Sequence, residues 1–290
     1  MSRLFAFGLG YSAEALARRL AARGWDIAGT ARDEDKIERL ARDGYAMTRF
    51  AGEPVNPEVA PLLAGTTHLL LSIPPRGNGD PVLAHHAENI AKLPSLAWIG
   101  YLSTVGVYGD HGGDWIDEST PPSPSNERTR GRVDAERAWL AFGEATGCPV
   151  QVFRLAGIYG PGRSAFDKLM AGTARRIVKP GQLFNRIHVE DIASVLEASI
   201  ALPRSGAVYN VTDDEAAPPD EVVTYAAKLA RLPPPPEVPF EEAELSPMAR
   251  SFYGNSRRVS NARIKSELGV TLRYPTYREG LAALLPASSD

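Results

Sequence analysis

The stretch GLGYSA at residues 8–13 decides the fold, because it spaces two glycines and an alanine as G-x-G-x-x-A. It follows the apolar run LFAFG (4–8) and opens a helical pattern, and in that setting the spacing is typical of a dinucleotide site. Gly8 allows a tight turn, Gly10 lets the backbone approach a pyrophosphate, and Ala13 keeps the helix close to the strand. The free N–H groups and the dipole at the helix start favour phosphate. We therefore predict that a dinucleotide binds to Gly8, Gly10, Tyr11, Ser12 and Ala13.

Apolar runs alternate with helical patterns from this stretch to residue 156. The runs are LFAFG (4–8), WDIAGTA (25–31), HLLLSI (68–73), LAWIGYLST (96–104) and VQVFRLA (150–156). This alternation predicts an α/β fold, a Rossmann doubly wound parallel sheet with helices on both faces. After about residue 157 glycines, prolines and arginines become frequent. We expect residues 1–160 to form the Rossmann domain, 188–212 to return to it, and 161–290 to form mainly a smaller C-terminal lobe that binds substrate.

Composition narrows the class of partner. The net charge of −3 and the pI near 6.0 argue against surfaces built for nucleic acid or anionic lipid. No apolar run has the length of a membrane span. The single cysteine, Cys148, excludes an internal disulfide and fits a cytoplasmic protein. His85 and His86 have no carboxylate or cysteine partners at metal-ligand spacing, so we expect no metal. Together, these features predict a small-molecule substrate and no nucleic acid or membrane partner.

The end of the second strand, GTARDEDK (29–36), bears on the choice of cofactor. NAD sites place an acid at this point to bind the ribose hydroxyls, whereas NADP sites supply a cation for the 2′-phosphate. Ala31 stands where the acid is expected and Arg32 follows it, which favours NADP. Asp33 keeps NAD open as the alternative, and Arg32 is also compatible with a purely solvated role. Ser72 follows the HLLLSI strand at the carboxyl edge, where we expect it to contact the cofactor.

Three further motifs follow in the chain: YLSTVGVYGD (101–110), GIYGPG (157–162) and RIHVEDIA (186–193). With GLGYSA, they make the chain resemble the extended and atypical short-chain dehydrogenase/reductases of the NAD-dependent epimerase/dehydratase type. The resemblance implies a lobe that closes over a substrate, often a nucleotide sugar, and relatives that often pair as homodimers. It also implies a catalytic Ser/Thr four residues before the Tyr of VYG. That position is Thr104, with Tyr108 downstream.

The family's Y-x-x-x-K motif is altered in the next predicted helix, ERTRGRVDAE (127–136). Alignment on Glu136 puts Arg132 at the lysine position and Arg128 at the tyrosine position. The resemblance implies that the tyrosine exchanges a proton during hydride transfer, while the lysine lowers its pKa and holds the nicotinamide ribose. Arg132 retains the charge needed to contact the ribose. Arg128 cannot exchange a proton because its guanidinium stays protonated.

Three interpretations of these arginines stay open. In the first, the acid–base group has moved to Tyr108, Tyr159, Tyr253 or His188. In the second, the protein binds a dinucleotide without turnover, as a sensor or interaction partner. In the third, the alignment is shifted, although TPPSPSNERTRGRV (120–133) contains no tyrosine or lysine that a small shift could recover. A purely structural alternative is a solvated helix face on which Arg132 pairs with Glu136 at i,i+4 spacing.

The substrate side is predicted to be cationic. Arg163 follows GIYGPG and Arg257 lies in a C-terminal loop, so the two could bind a phosphate or carboxylate from opposite sides of a cleft. The alternative is that they are separate surface arginines without a ligand. Arg186 and His188 belong to RIHVEDIA, where the family's substrate arginine would fall at Phe184. His188 is equally compatible with packing. We expect an NAD(P)-dependent oxidoreductase or epimerase-like enzyme with a small polar, anionic substrate, or else a dinucleotide-binding protein without turnover.

Overall fold

A computed structural model describes residues 2–52, 56–77 and 79–285. The strands within these residues are β1 (Arg3–Phe7), β2 (Asp26–Ala31), β3 (Ala46–Arg49), β4 (His68–Leu71), β5 (Trp98–Thr104), β6 (Trp115–Ile116), β7 (Val150–Leu155), β8 (Gly157–Tyr159), β9 (Arg176–Val178), β10 (Arg186–His188), β11 (Val208–Val211), β12 (Glu237–Pro239) and β13 (Arg258–Val259). The helices are α1 (Tyr11–Ala21), α2 (Glu34–Arg42), α3 (Val59–Leu63), α4 (Pro81–Ala91), α5 (Glu127–Thr146), α6 (Ala165–Met170), α7 (Val189–Ala201), α8 (Pro219–Leu229), α9 (Pro247–Phe252), α10 (Ala262–Leu268) and α11 (Tyr277–Leu284). A 3-10 turn, Val105–Tyr108, follows β5.

Seven parallel strands form the central sheet in the order β11-β7-β5-β4-β1-β2-β3. The chain runs outward from β1 through β2 to β3, then crosses back to β4 and continues to the other edge. This is the Rossmann arrangement that the sequence predicts. The segment that was expected to return contributes α7 and strand β11, which pairs with β7. The domain boundaries themselves stay a prediction.

Helices cover both faces of the sheet. On one face α1, α7 and α10 contribute buried apolar side chains, and on the other α3, α4 and α5 do so. Small residues allow α1 to lie close to the sheet, since Ala13 and Ala17 are fully buried there. A separate apolar cluster that includes Phe166, Val222 and Tyr277 forms the core of the smaller lobe. Within the described residues, no helix has both the length and the apolar character that crossing a membrane requires.

The parallel register brings the strand ends to one edge of the sheet. Phe7 of β1 is level with Leu71 of β4, and Thr104 of β5 is level with Leu155 of β7. Gly8, Ser72 and Ala156 each follow one of these strands directly, so all three lie along the same edge. In open α/β sheets, ligands bind outside the carboxyl ends of the strands, where the strand order reverses.

Candidate functional site

The turn between β1 and α1 has an open, unpaired helix start. Gly8 has a φ of +81°, and a Cβ there would lie 2.9 Å from Cγ1 of Ile73, so the turn requires glycine. Gly10 has an ordinary φ of −90°, and within 4 Å its Cβ would meet only the Gly8 oxygen, at 3.8 Å. The backbone conformation therefore does not explain the glycine at position 10, but a ligand that approaches the backbone would.

Three N–H groups point out of this helix start. In the described part of the chain, the amides of Tyr11, Ser12 and Ala13 have no hydrogen-bond acceptor, and no side chain caps α1. Unpaired amides together with the helix dipole suit a diphosphate. The residues present thus fit the phosphate portion of a dinucleotide. The Tyr11 hydroxyl instead donates to the Pro161 carbonyl at 2.9 Å.

The two candidate cofactor contacts at the end of β2, Arg32 and Asp33, differ in their surroundings. Arg32 is exposed and forms no ion pair with any residue that the structure describes. Asp33 caps α2, and its Oδ1 accepts a hydrogen bond from the Lys36 N–H at 3.0 Å. One oxygen of the Asp33 carboxylate therefore caps α2, while the Arg32 guanidinium is free to bind an anion.

A cleft of about 1290 Å³ lies between this edge of the sheet and the smaller lobe. Ser12, Ser72 and Thr104 line it from the sheet side. The Thr104 hydroxyl accepts a hydrogen bond from the Gly106 N–H at 3.1 Å, which leaves its own hydrogen free to donate. The volume is large enough for the nicotinamide half of a cofactor together with a small substrate.

Two arginines reach the cleft from α5, whose start is fixed by reciprocal capping between Asn126 and Thr129. Arg132 donates from Nη1 to the Leu102 carbonyl at 2.8 Å. Arg128 lies over the Phe252 ring, 5.3 Å from its centre. Burial and the nearby charge of Arg132 lower the pKa of Arg128. Neither arginine has a carboxylate partner among the described residues.

The structural alternative, in which Arg132 pairs with Glu136, does not match the contacts of Glu136. Glu136 is buried and faces the sheet, where it accepts hydrogen bonds from Arg154, with Nη2 to Oε2 at 2.7 Å. It also accepts one from the Ser103 hydroxyl at 2.5 Å. The two α5 residues are four apart, but the buried Arg154 provides the stronger partner for the carboxylate.

Tyr108 was expected to act on the substrate, but its side chain lies outside the cleft. It is fully buried and does not line the cleft. Its hydroxyl accepts from Arg154 Nη1 at 2.8 Å and donates to Asn210 Oδ1 at 2.9 Å. Burial raises the pKa of Tyr108. The catalytic assignment of Tyr108 is therefore corrected, since core packing and two hydrogen bonds hold it away from the cleft.

The substrate-side assignment of His188 is corrected for a similar reason. His188 is buried, lies outside the cleft lining, and caps α7 through Nδ1, which accepts from the Glu190 N–H at 3.2 Å. Its ring packs edge-on against Tyr159 and at 4.1 Å from Tyr274. Burial lowers the pKa of His188 to about 4, so the ring is neutral near pH 7.

Arg163, Arg186 and Arg257 all line the cleft. Arg186 donates to the carbonyls of Phe184 and Ala217 at 2.9 and 3.1 Å, and burial lowers its pKa. Arg257 donates to the Gly109 carbonyl, and burial lowers its pKa to about 10. Arg163 is exposed at the cleft mouth. The three guanidinium groups come from separate parts of the chain and converge on one space.

The cleft also contains side chains that sequence reasoning did not assign to it. Lys168 and Arg175 add cations, and Phe252 adds an exposed ring. Little in the sequence indicated that these residues line a cleft, because α6 and α9 are each only six residues long and are flanked by loops. Tyr159 and Tyr253, which were considered as alternative acid–base groups, line the cleft too. Burial raises the pKa of both, so each hydroxyl stays protonated and can donate a hydrogen bond.

Comparisons with known proteins agree with this geometry. Residues 93–212 match the model of the NAD dependent epimerase/dehydratase family. The solved structure of a functionally unknown conserved protein from Silicibacter pomeroyi DSS is 53% identical, with a TM-score of 0.90 over 98% of each chain. Protein YeeZ of Escherichia coli K12 is 28% identical over 95% of this chain and 97% of its own. A 3-diazoavenalumate denitrifying reductase from Streptomyces sp is 25% identical over 97% and 99%.

Proposed function

Because residues 93–212 match the model of the NAD dependent epimerase/dehydratase family, we propose that the chain is an NAD(P)-dependent oxidoreductase or epimerase-like enzyme for a small anionic substrate. The observation that carries the proposal is the start of α1. Three unpaired amides and an open space at Gly10 lie beside a cleft rich in arginine. A dinucleotide bound there would place its reactive end near Thr104, on the same edge of the sheet.

NADP is the proposed cofactor, with NAD as the alternative. The amides of Tyr11, Ser12 and Ala13 would bind the diphosphate, and Arg32 would bind the 2′-phosphate. The exposed guanidinium of Arg32 supports this choice, since it forms no ion pair with any residue that the structure describes. Arg132 would contact the nicotinamide ribose and Ser72 the nicotinamide itself. When bound, the cofactor supplies or accepts a hydride.

Thr104 and Arg128 are the proposed catalytic residues. Both line the cleft, and the Thr104 hydroxyl hydrogen is available to a substrate oxygen. As negative charge develops on that oxygen, Thr104 and the guanidinium of Arg128 would stabilise it by donating hydrogen bonds. A guanidinium does not release its proton near neutral pH, so the proton that completes an alcohol comes from water. Arg128 therefore replaces the electrostatic part of the tyrosine's role and not its proton exchange.

A second candidate is dinucleotide binding without turnover. It is favoured by one observation, the replacement of both the tyrosine and the lysine of the family motif by Arg128 and Arg132. In that case the arginines would bind phosphate or ribose, and no reducible substrate would be turned over. Binding of NADPH is common to both candidates, whereas hydride transfer belongs to the first alone.

Fluorescence titration with NADPH and NADH, followed by a hydride-transfer screen with anionic carbonyl compounds, tests the proposal. We expect NADPH to bind and to be oxidised with at least one anionic substrate. The double change Arg128→Tyr with Arg132→Lys should lower this activity, because the native arginines belong to the mechanism. Arg130→Met is the matched control, since Arg130 lies on the same helix, is exposed and does not line the cleft. Tight binding without turnover on any substrate would favour the second candidate.

A further inference from the structure

Among the described residues, cationic side chains outnumber carboxylates in the lining of the cleft. Arg128, Arg132, Arg163, Arg186 and Arg257 all line it, and none forms an ion pair there. The lining carboxylates are Asp167 and Glu244. Asp167 is already engaged, because its Oδ2 accepts from the N–H and hydroxyl of Ser164 at 2.6 and 2.7 Å. This excess of guanidinium groups favours a ligand that carries negative charge.

Flat aromatic surfaces accompany this charge. Tyr159, Phe184, Phe252, Tyr253 and Tyr277 line the same space. Arg128 lies over the Phe252 ring at 5.3 Å, and Arg186 lies over the Tyr277 ring at 5.9 Å. Phe252 is 48% exposed, so one side of its ring is available at the cleft mouth. Rings and guanidinium planes both favour stacking with a planar, unsaturated group.

Several neutral hydrogen-bonding side chains of the lining, in contrast, are engaged inside the protein. Asn126 and Thr129 cap α5 reciprocally. Asn185 donates to the Arg257 carbonyl at 3.0 Å and accepts from the Val259 N–H at 2.9 Å. Ser103 donates to Glu136. A sugar ring brings many hydroxyls into such a cleft, and each hydroxyl without a partner weakens binding.

We propose that the substrate is a flat aromatic or conjugated carboxylic acid with a reducible carbonyl, rather than a sugar nucleotide. This rests on the proposed function and specifies its substrate class. The carboxylate binds to Arg186 and Arg257, the planar body stacks on Phe252, and the carbonyl oxygen lies near Thr104 and Arg128. A hydride from NADPH adds to the carbonyl carbon, the π electron pair moves to the oxygen, and water supplies the proton of the alcohol.

The test compares 4-formylbenzoate with three matched compounds: benzaldehyde, which lacks the charge, 4-formylcyclohexanecarboxylate, which is not flat, and UDP-glucose. Calorimetry on the protein with NADP⁺ bound measures affinity, and NADPH oxidation measures turnover. We expect 4-formylbenzoate to bind at least about tenfold more tightly than each of the three. Equal or tighter binding of UDP-glucose or of the cyclohexane acid would overturn the proposal.

Phe252→Leu provides a second arm. We expect it to weaken 4-formylbenzoate binding about tenfold while NADPH affinity stays unchanged. Met248→Ala is the control, because Met248 lies on the same helix and is exposed but does not line the cleft. Unchanged 4-formylbenzoate affinity in Phe252→Leu would contradict stacking. If the protein bound neither NADPH nor NADH, the proposed function itself would fail; if it bound NADPH without preferring the flat acid, this inference alone would fail.

Discussion

Glu136 and Arg132 lie one turn apart on α5, yet they belong to opposite environments. Glu136 faces the core and is paired with the buried Arg154. Arg132 faces the cleft and has no carboxylate partner among the described residues. The charged side chains of this protein therefore fall into two groups. Buried charges that are paired with each other stabilise the fold, whereas unpaired charges at the cleft are available to a ligand.

The largest expected effect comes from breaking the paired side of this comparison. Glu136→Ala leaves the Arg154 guanidinium buried without a counter-charge, which should lower the free energy of unfolding by about 3–5 kcal/mol. Urea unfolding followed by circular dichroism measures this change. Arg132→Met is the matched control and should change the same free energy by less than about 1 kcal/mol. Similar losses in the two variants would contradict the division between core and cleft charges.

His188 adds a third case to this comparison, a titratable side chain that is buried in its neutral form. Its pKa is lowered to about 4 in the folded protein by burial, from an ordinary value of 6.5. Its contribution to stability is therefore complete above pH 6.5 and is lost as pH falls through about 4, because the unfolded chain binds the proton first. The loss should be on the order of 3 kcal/mol.

Unfolding free energies measured from pH 7 to pH 4 check this prediction. The slope against pH should be shallower in His188→Asn than in the native protein, since the variant cannot titrate in this range. Asparagine keeps an oxygen that can accept from the Glu190 N–H, so the cap of α7 is preserved. Identical slopes in the two proteins would show that His188 is not a buried neutral ring.

The smallest expected effect concerns Arg32, a charge without an ion-pair partner among the described residues. Arg32→Ala should weaken NADPH binding about tenfold and leave NADH binding unchanged, because only NADPH carries the 2′-phosphate. Fluorescence titration measures both affinities. Arg42→Ala, an exposed change near the end of α2, serves as the control. Equal losses for the two nucleotides would remove Arg32 from the cofactor site and reopen NAD as the preferred cofactor.

The sheet was predictable from the sequence because its strands are buried on both faces and read as apolar runs. The GLGYSA turn was predictable in outline, whereas the ordinary backbone conformation of Gly10 and the open space beside it could be seen only in the structure. The short strand β3 did not stand out, since Thr48 and Arg49 interrupt its apolar character.

The contacts of α5 were harder to predict. Local spacing pairs Arg132 with Glu136, but which way a helix faces depends on the sheet against which it packs. A signal was present in VQVFRLA, because an arginine inside a buried strand requires a buried partner. The positions of the Tyr108 and His188 side chains were missed for the same reason. A motif gives the order of residues and not the direction of their side chains. The convergence of arginines from β10, α5 and the C-terminal loop depends on the tertiary fold alone.

The central claim is that the start of α1 binds the diphosphate of a nicotinamide cofactor. Calorimetric titration of NADPH and NADH into the native protein and into Gly10→Val tests it most directly. A Val Cβ meets no close neighbour at this position and φ is −90°, so the variant should fold normally. We predict one binding site in the native protein and a loss of affinity of about 100-fold or more in the variant. No binding of either nucleotide by the native protein, or equal binding by the variant, would contradict the account.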